Sequence, residues 1–302
     1  MRFRMDKEQL GHLHTETRNP ESTEMDKMSI RELLTLMNRE DGKAIEAVRE
    51  AIPEIEETVR RVIRALENGG RLIYAGAGTS GRMGMVDAVE CGPTFSTDNE
   101  VTAIMAGGET AFFCAREGAE DSEELAAEEL ERIGLDEKDV VLAIAASGRT
   151  PYCIGALKTA RKKGAVCISL SCNKGAAMSA YADVAIEVDA GPEVLTGSTR
   201  LKAGTCQKLI LNMISTASMV GIGKVYSNYM VDMKASNYKL EERAKRIVMD
   251  TTSCTAEEAL QALREAGQSI KTAIVMILLG VSREEAEARL QKSSGFVRRC
   301  ID

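Results

Sequence analysis

Short apolar runs alternate with amphipathic segments along most of the chain. The continuous runs are RLIYA at 71–75, VTAIMA at 101–106, DVVLAIA at 139–145, AVCISLS at 165–171 and VAIEV at 184–188. Runs this short, bounded by glycine and polar clusters, predict strands buried on both faces. The segments around them have helical spacing. Residues 29–68 read as helical, opening on Ser29 with Glu32 in capping-box position. Within them Ile55, Val59, Val62, Ile63 and Leu66 share one face, and Gly69-Gly70 ends the pattern. Residues 109–133 read as one long helical region with an acidic middle, and 152–163 as a further helix. A Gly/Ser/Thr/Arg turn near residues 197–200 leads into a long helix with a Leu/Ile/Met face. After Asn237 the pattern shifts to short helices. Thr255 caps one that stops at Gly267, residues 270–279 form an apolar one that stops at Gly280, and Ser282 caps the last.

Strands that alternate with helices imply an α/β fold with a mostly parallel sheet covered on both faces. The expected organisation is an N-terminal arm and helix at 1–50, a sheet domain at 51–238 and a small C-terminal helical bundle at 239–302. The polar arm at 1–28, with its Asn19-Pro20 turn signal, leaves two readings open: a loosely ordered tail, or an arm that packs on a partner subunit.

Composition narrows the chemistry. Hydrophobic residues make up 44% and charged residues 28%, the balance of a soluble globular chain. No apolar run reaches the roughly 18 residues of a membrane span, and the N-terminus lacks the apolar core of a signal peptide, so a cytoplasmic protein is expected. The net charge of −7, without a basic stripe, argues against nucleic acid. The eight cysteines form no CxxC pair, and the two histidines, His12 and His14, both lie in the polar arm. Zinc and histidine-based nucleophilic mechanisms are therefore disfavoured, which leaves carboxylates and lysines for acid–base work.

Residues 72–94, LIYAGAGTSGRMGMVDAVECGPT, gather the candidate chemistry. A buried strand, a turn with Gly78, Thr79 and Ser80, and a helix start together make an anion site. No Gly-Lys-Ser/Thr follows, so it is not a P-loop, and no acidic residue clearly ends a second strand where a dinucleotide fingerprint needs one. About three helical turns on lies Glu90, with two readings open: a solvent-facing carboxylate, or a carboxyl kept protonated by its small and apolar neighbours. A second hydroxyl-rich turn, with Ser147, Gly148, Arg149 and Thr150, follows the 139–145 strand and can close on the same phosphate. Glu193 follows Gly191-Pro192 after the last strand and is expected to point toward the ligand. Spacing alone does not choose among Glu117, Glu120 and Glu124 in the acidic run.

Longer motifs narrow this further. GGRLIYAGAGTSGR, DAVEC, EGAED, ASGRTPY, GPEVLTGSTRLKAGT and MVDMKASN, with TETRNP upstream, are similar in order and wording to the N-acetylmuramic acid 6-phosphate etherases over about residues 14–290. The resemblance implies a sugar isomerase (SIS) domain, a three-layer αβα sandwich that binds phosphosugars without metal or redox cofactor. It also implies a homodimer with sites near the subunit interface. The implied reaction cleaves the D-lactyl ether of the phosphosugar. By motif the family's two acid/base glutamates fall on Glu90 and Glu120. Gly78, Thr79, Ser80, Ser147, Gly148, Thr150 and Glu193 are implied as substrate-binding. The segment between the glutamates is one residue shorter than the family pattern around 97–101. The glucokinase regulatory protein shares the architecture without the chemistry, so a phosphosugar-binding regulator remains an alternative, as does a sugar-phosphate isomerase.

Overall fold

The computed structural model describes residues 13–114, 116, 118–235 and 237–302. Its contacts divide into two compact units. One comprises the described residues up to Ala88 together with Glu100–Ser215; the other comprises Val89–Asn99 and Thr216–Asp302.

The first unit is built on a five-stranded, all-parallel sheet of β1 (Leu72–Gly76), β2 (Val101–Met105), β3 (Val140–Ala145), β4 (Val166–Ser171) and β5 (Val184–Glu187), in the order β2-β1-β3-β4-β5. Every residue of β1 and β3 is buried, as expected of strands covered on both faces. Alternation sorts their side chains. Ile73, Ala75, Val141, Ala143 and Ala145 pack with Cys153, Ala156 and Leu157 of α6 (Pro151–Lys163) and with Ala126 and Leu130 of α5 (Glu123–Arg132). On the other face, α2 (Ile52–Glu67) lies against β1, β3 and β5. There α3 (Gly78–Phe95) brings Gly84 close to Tyr74 and Ile144. The result is a three-layer αβα arrangement.

Two local expectations change. The 109–133 region is not one helix. It breaks into the short α4 (Thr110–Phe113), a 3-10 turn at Ala119–Asp121 and α5. The Ser122 hydroxyl accepts from the Leu125 N–H and starts α5 afresh. Residues 13–28 are also tied to their own chain, which overturns the loose-tail reading for them. Asn19 caps the turn Pro20–Ser22, and its amide donates to Glu40 on α1 (Ile30–Glu50) and to the Pro192 carbonyl. Residues 1–12, His12 among them, lie outside the described residues.

The second unit holds the end of α3, the hairpin β6 (Val225–Tyr226) and β7 (Tyr229–Met230), and the helices α8 (Tyr238–Thr252), α9 (Ala256–Glu265), α10 (Ile270–Leu279), α11 (Arg283–Lys292) and α12 (Val297–Ile301). Its core is Val231, Ile247, Val248, Leu263, Ile274 and Val275 with their neighbours. Lys271 ties it together by donating to Asp232 and to the Gly223 and Gly295 carbonyls. The helix α7 (Lys202–Gly221), like α3, runs from one unit into the other.

Candidate functional site

The sheet order reverses after β2, because β2 and β3 lie on opposite sides of β1. Ligands of such sheets bind beyond the strand ends at this switch. Gly76 of β1 is in register with Ile144 of β3, so the turns that follow begin side by side. These are the two hydroxyl-rich turns. Thr79 and Ser80 sit at the start of α3, and Ser147, Gly148 and Thr150 sit at the start of α6.

The first turn is tight because it has no side chains where strand and helix meet. A Cβ on Gly76 would lie 2.8 Å from the Gly81 backbone, and one on Gly81 would lie 2.7 Å from the Gly76 carbonyl oxygen. Ser80 is buried, and its Oγ accepts from Gln207 Nε2 of α7 at 3.0 Å. That bond uses a lone pair and leaves the hydroxyl proton to donate elsewhere. In the second turn the Ser147 Oγ accepts from the Arg149 N–H at 3.3 Å. Thr150 occupies the N-cap of α6 without a side-chain capping bond, so its hydroxyl is not engaged by the helix it precedes. Gly148 has φ +67°, and a Cβ there would lie 2.4 Å from that of Ala176. We expect Gly148→Ala to cost roughly 1–3 kcal/mol of stability, which urea unfolding of the variant checks.

On the β2 side of β1 lies a cavity of about 150 Å³ lined by Gly78, Arg82, Met105, Ala111, Arg116 and Glu120, among others. Arg82 is fixed by bonds from Nε to the Phe112 carbonyl at 2.9 Å and from Nη2 to the Ala111 carbonyl at 2.7 Å. Glu120 stands exposed on the 3-10 turn. Glu124 instead faces the Ser122 hydroxyl at the start of α5, and Glu117 lies outside the described residues. Of the two described acids among those left open by spacing, Glu120 is the one that lines this cavity.

The other carboxylates have distinct fates. Asp87 is buried and accepts from the Tyr74 hydroxyl, Asn212 Nδ2 and Ser215 Oγ, which joins α3 to β1 and α7. Glu90, in the second unit, is exposed on α3, the solvent-facing one of its two readings; its neighbour Val89 is exposed as well. Glu193 also departs from expectation. It is buried, and its two oxygens accept the N–H groups of Lys202 and Ala203 at 3.0 and 2.9 Å. A carboxylate on the unpaired N–H groups of a helix start is a capping anion, so Glu193 anchors α7 rather than reaching for the ligand.

Four of the buried cysteines offer no nucleophile. Burial pushes the Cys153 thiol up to about 12 and those of Cys167 and Cys206 to about 11, and it lifts Cys172 well above its usual value. Sequence reasoning missed Gln207, Arg82 and Arg116. An arginine in each of GTSGR and ASGRT was the available signal for the first turn's cation; nothing in the sequence signalled the other two.

Known proteins bear on this site. Residues 54–161 match the model of the glucokinase regulatory protein N-terminal SIS domain, and residues 119–217 match that of the SIS domain. The N-acetylmuramic acid 6-phosphate etherase of Shouchella clausii is 57% identical, covering 97% of this chain and 99% of its own. That of Geobacillus thermodenitrificans is 56% identical, covering 97% and 100%. The chain belongs to the N-acetylmuramic acid 6-phosphate etherase family. The solved phosphoheptose isomerase GmhA of Neisseria gonorrhoeae is 18% identical, with a TM-score of 0.51 over 63% of this chain and 98% of that one. At that identity it shows the fold alone. The SIS-type sandwich implied by the motifs is thus present in this member of the etherase family, with a helical C-terminal region. No described helix is long and apolar enough to cross a membrane.

Proposed function

We propose that this chain cleaves the D-lactyl ether of N-acetylmuramic acid 6-phosphate to give N-acetylglucosamine 6-phosphate and D-lactate. The observation that carries the reading is 57% identity to an etherase of that name across 97% of the chain.

An alkyl ether is not cut by simple hydrolysis near neutral pH. Opening the sugar ring exposes an aldehyde at C1, which acidifies the hydrogen on C2. Glu120 takes that proton as the general base. The electron pair forms the C2–C3 double bond, and the C3–O bond breaks. Glu90 gives its proton to the departing lactate oxygen. Water then adds, its oxygen to C3 and a proton to C2, with the two carboxyl groups in reversed roles. The sum consumes one water and moves no electrons to or from the substrate. The hydroxyls of Thr79, Ser80, Ser147 and Thr150, with the N–H groups at the starts of α3 and α6, hold the phosphate. Gly78 and Gly148 let the backbone approach it. The active form is a homodimer. A phosphorylated sugar does not cross membranes unaided, which suits a cytoplasmic enzyme of amino sugar metabolism.

The test is release of D-lactate from N-acetylmuramic acid 6-phosphate. Glu90→Ala is expected to lose that release while still exchanging the C2 hydrogen with solvent deuterium. Lactate release at the normal rate from this variant ends the assignment of Glu90. A protein that binds the phosphosugar without releasing lactate, or that forms a ketose phosphate, overturns the etherase reading itself.

A further inference from the structure

The first unit offers anions two places. The hydroxyl turns follow β1 and β3, and the cavity with Arg82 and Arg116 runs from Gly78 of the first turn toward β2. Two strand spacings separate β2 from β3, about 10 Å. The substrate of the proposed reaction also carries two anionic groups at different ends of one hexose: the 6-phosphate, and the carboxylate of the lactyl group on O3.

The cavity has the chemistry of a carboxylate site. Arg82 is held rigidly by two backbone carbonyls, which leaves Nη1 without a bond among the described residues. Arg116 has no hydrogen bond or ion pair among the described residues. Neither guanidinium is paired with a carboxylate there, although Glu120 lines the same cavity. Two guanidinium groups on one small cavity repel each other until an anion joins them, and their planar forks match a carboxylate. Met105 and Ala111, both buried, give an apolar wall. The volume of about 150 Å³ equals about five waters. That is room for a lactyl group, with its methyl and carboxylate.

We propose that Arg82 and Arg116 form the subsite for the lactyl carboxylate, next to the first turn but distinct from the hydroxyls that take the phosphate. This rests on the etherase reading. It makes the two arginines specificity-determining, since the product N-acetylglucosamine 6-phosphate keeps the phosphate and lacks the carboxylate.

The experiment compares two ligands by calorimetry in the Glu90→Ala background, where turnover is removed. Arg116→Gln is expected to weaken N-acetylmuramic acid 6-phosphate about 10- to 100-fold. It should leave the affinity for N-acetylglucosamine 6-phosphate unchanged, and Arg116→Lys should recover part of the loss. Arg116 is exposed, so an unchanged melting temperature verifies that the fold is intact. Equal weakening of both ligands means that the arginine reads the phosphate, and no weakening of either means that it reads neither; each result overturns the proposal. Lactate release by the unaltered protein tests the etherase reading separately, because the affinities are read without turnover.

Discussion

Glu120→Gln is expected to lower kcat for D-lactate release by about 10²–10⁴-fold, the usual contribution of a positioned general base. The amide keeps the size and polarity of the carboxyl but cannot take the C2 proton. Glu120 is exposed and caps no helix, so the substitution should change stability by no more than about 0.5 kcal/mol. The loss then falls on chemistry rather than folding. Solvent exchange at C2 separates this residue from Glu90. Glu120→Gln should lose both exchange and lactate release, whereas Glu90→Ala should lose release alone. Exchange at the unaltered rate in Glu120→Gln would show that another group removes the C2 proton, and would remove Glu120 from the base role. The pair of variants therefore tests the order of events as well as the residues, since proton removal must precede departure of the lactate.

The strands were legible because a parallel sheet covered on both faces needs continuous apolar runs, and RLIYA and DVVLAIA are that. Capping boxes were legible for a similar reason. Ser29 with Glu32 is one that the spacing announces and the structure contains. The order of the strands was not legible, because local patterns do not say on which side of β1 the chain returns. The cavity depends on that order, so Arg82 and Arg116 could not be brought together from spacing. The break in the 109–133 region had a local signal that the acidic run concealed: Ser122 ahead of Glu123-Glu124 is an N-cap followed by first-turn acids. Glu193 misled because a carboxylate after a strand end and a glycine turn can serve a ligand or a neighbouring helix. The choice was made by α7, whose start lies against it.

That helix start depends on a buried cluster, and Lys202→Met is expected to destabilise the first unit by about 3–5 kcal/mol. Lys202 is 2% exposed and Glu40 1%, and Lys202 Nζ lies 2.7 Å from Glu40 Oε2. Asn19 donates to the same oxygen at 2.8 Å, and Lys43 lies 2.6 Å from Oε1. Burial alone pushes the Glu40 carboxyl up. The hydrogen bonds from Lys202 and Lys43, the Lys202 charge and Asn19 outweigh it and hold the group at about 2, against 4.5 for an ordinary glutamate. A carboxyl lowered by folding contributes stability that is complete above about 4.5 and disappears as pH falls through about 2. The shift corresponds to about 3 kcal/mol, and because the carboxyl is buried, solvent screening takes little from it. Urea unfolding at pH 7 should show the loss for Lys202→Met. The pH dependence of stability between 5 and 2 should be shallower in Glu40→Gln than in the unaltered protein. The double variant Glu40→Gln, Lys202→Met should recover part of the single variant's loss, since it leaves no buried charge unpaired. An equal slope in Glu40→Gln would mean that other carboxylates govern acid unfolding. The cluster also reaches the site. Lys202 and Ala203 begin α7, a Cβ on Gly204 would touch the Thr79 methyl at 3.6 Å, and Gln207 holds Ser80. Lys202→Met should therefore weaken phosphosugar binding even where the protein stays folded, because the α7 start that supports the first hydroxyl turn has lost its anchor.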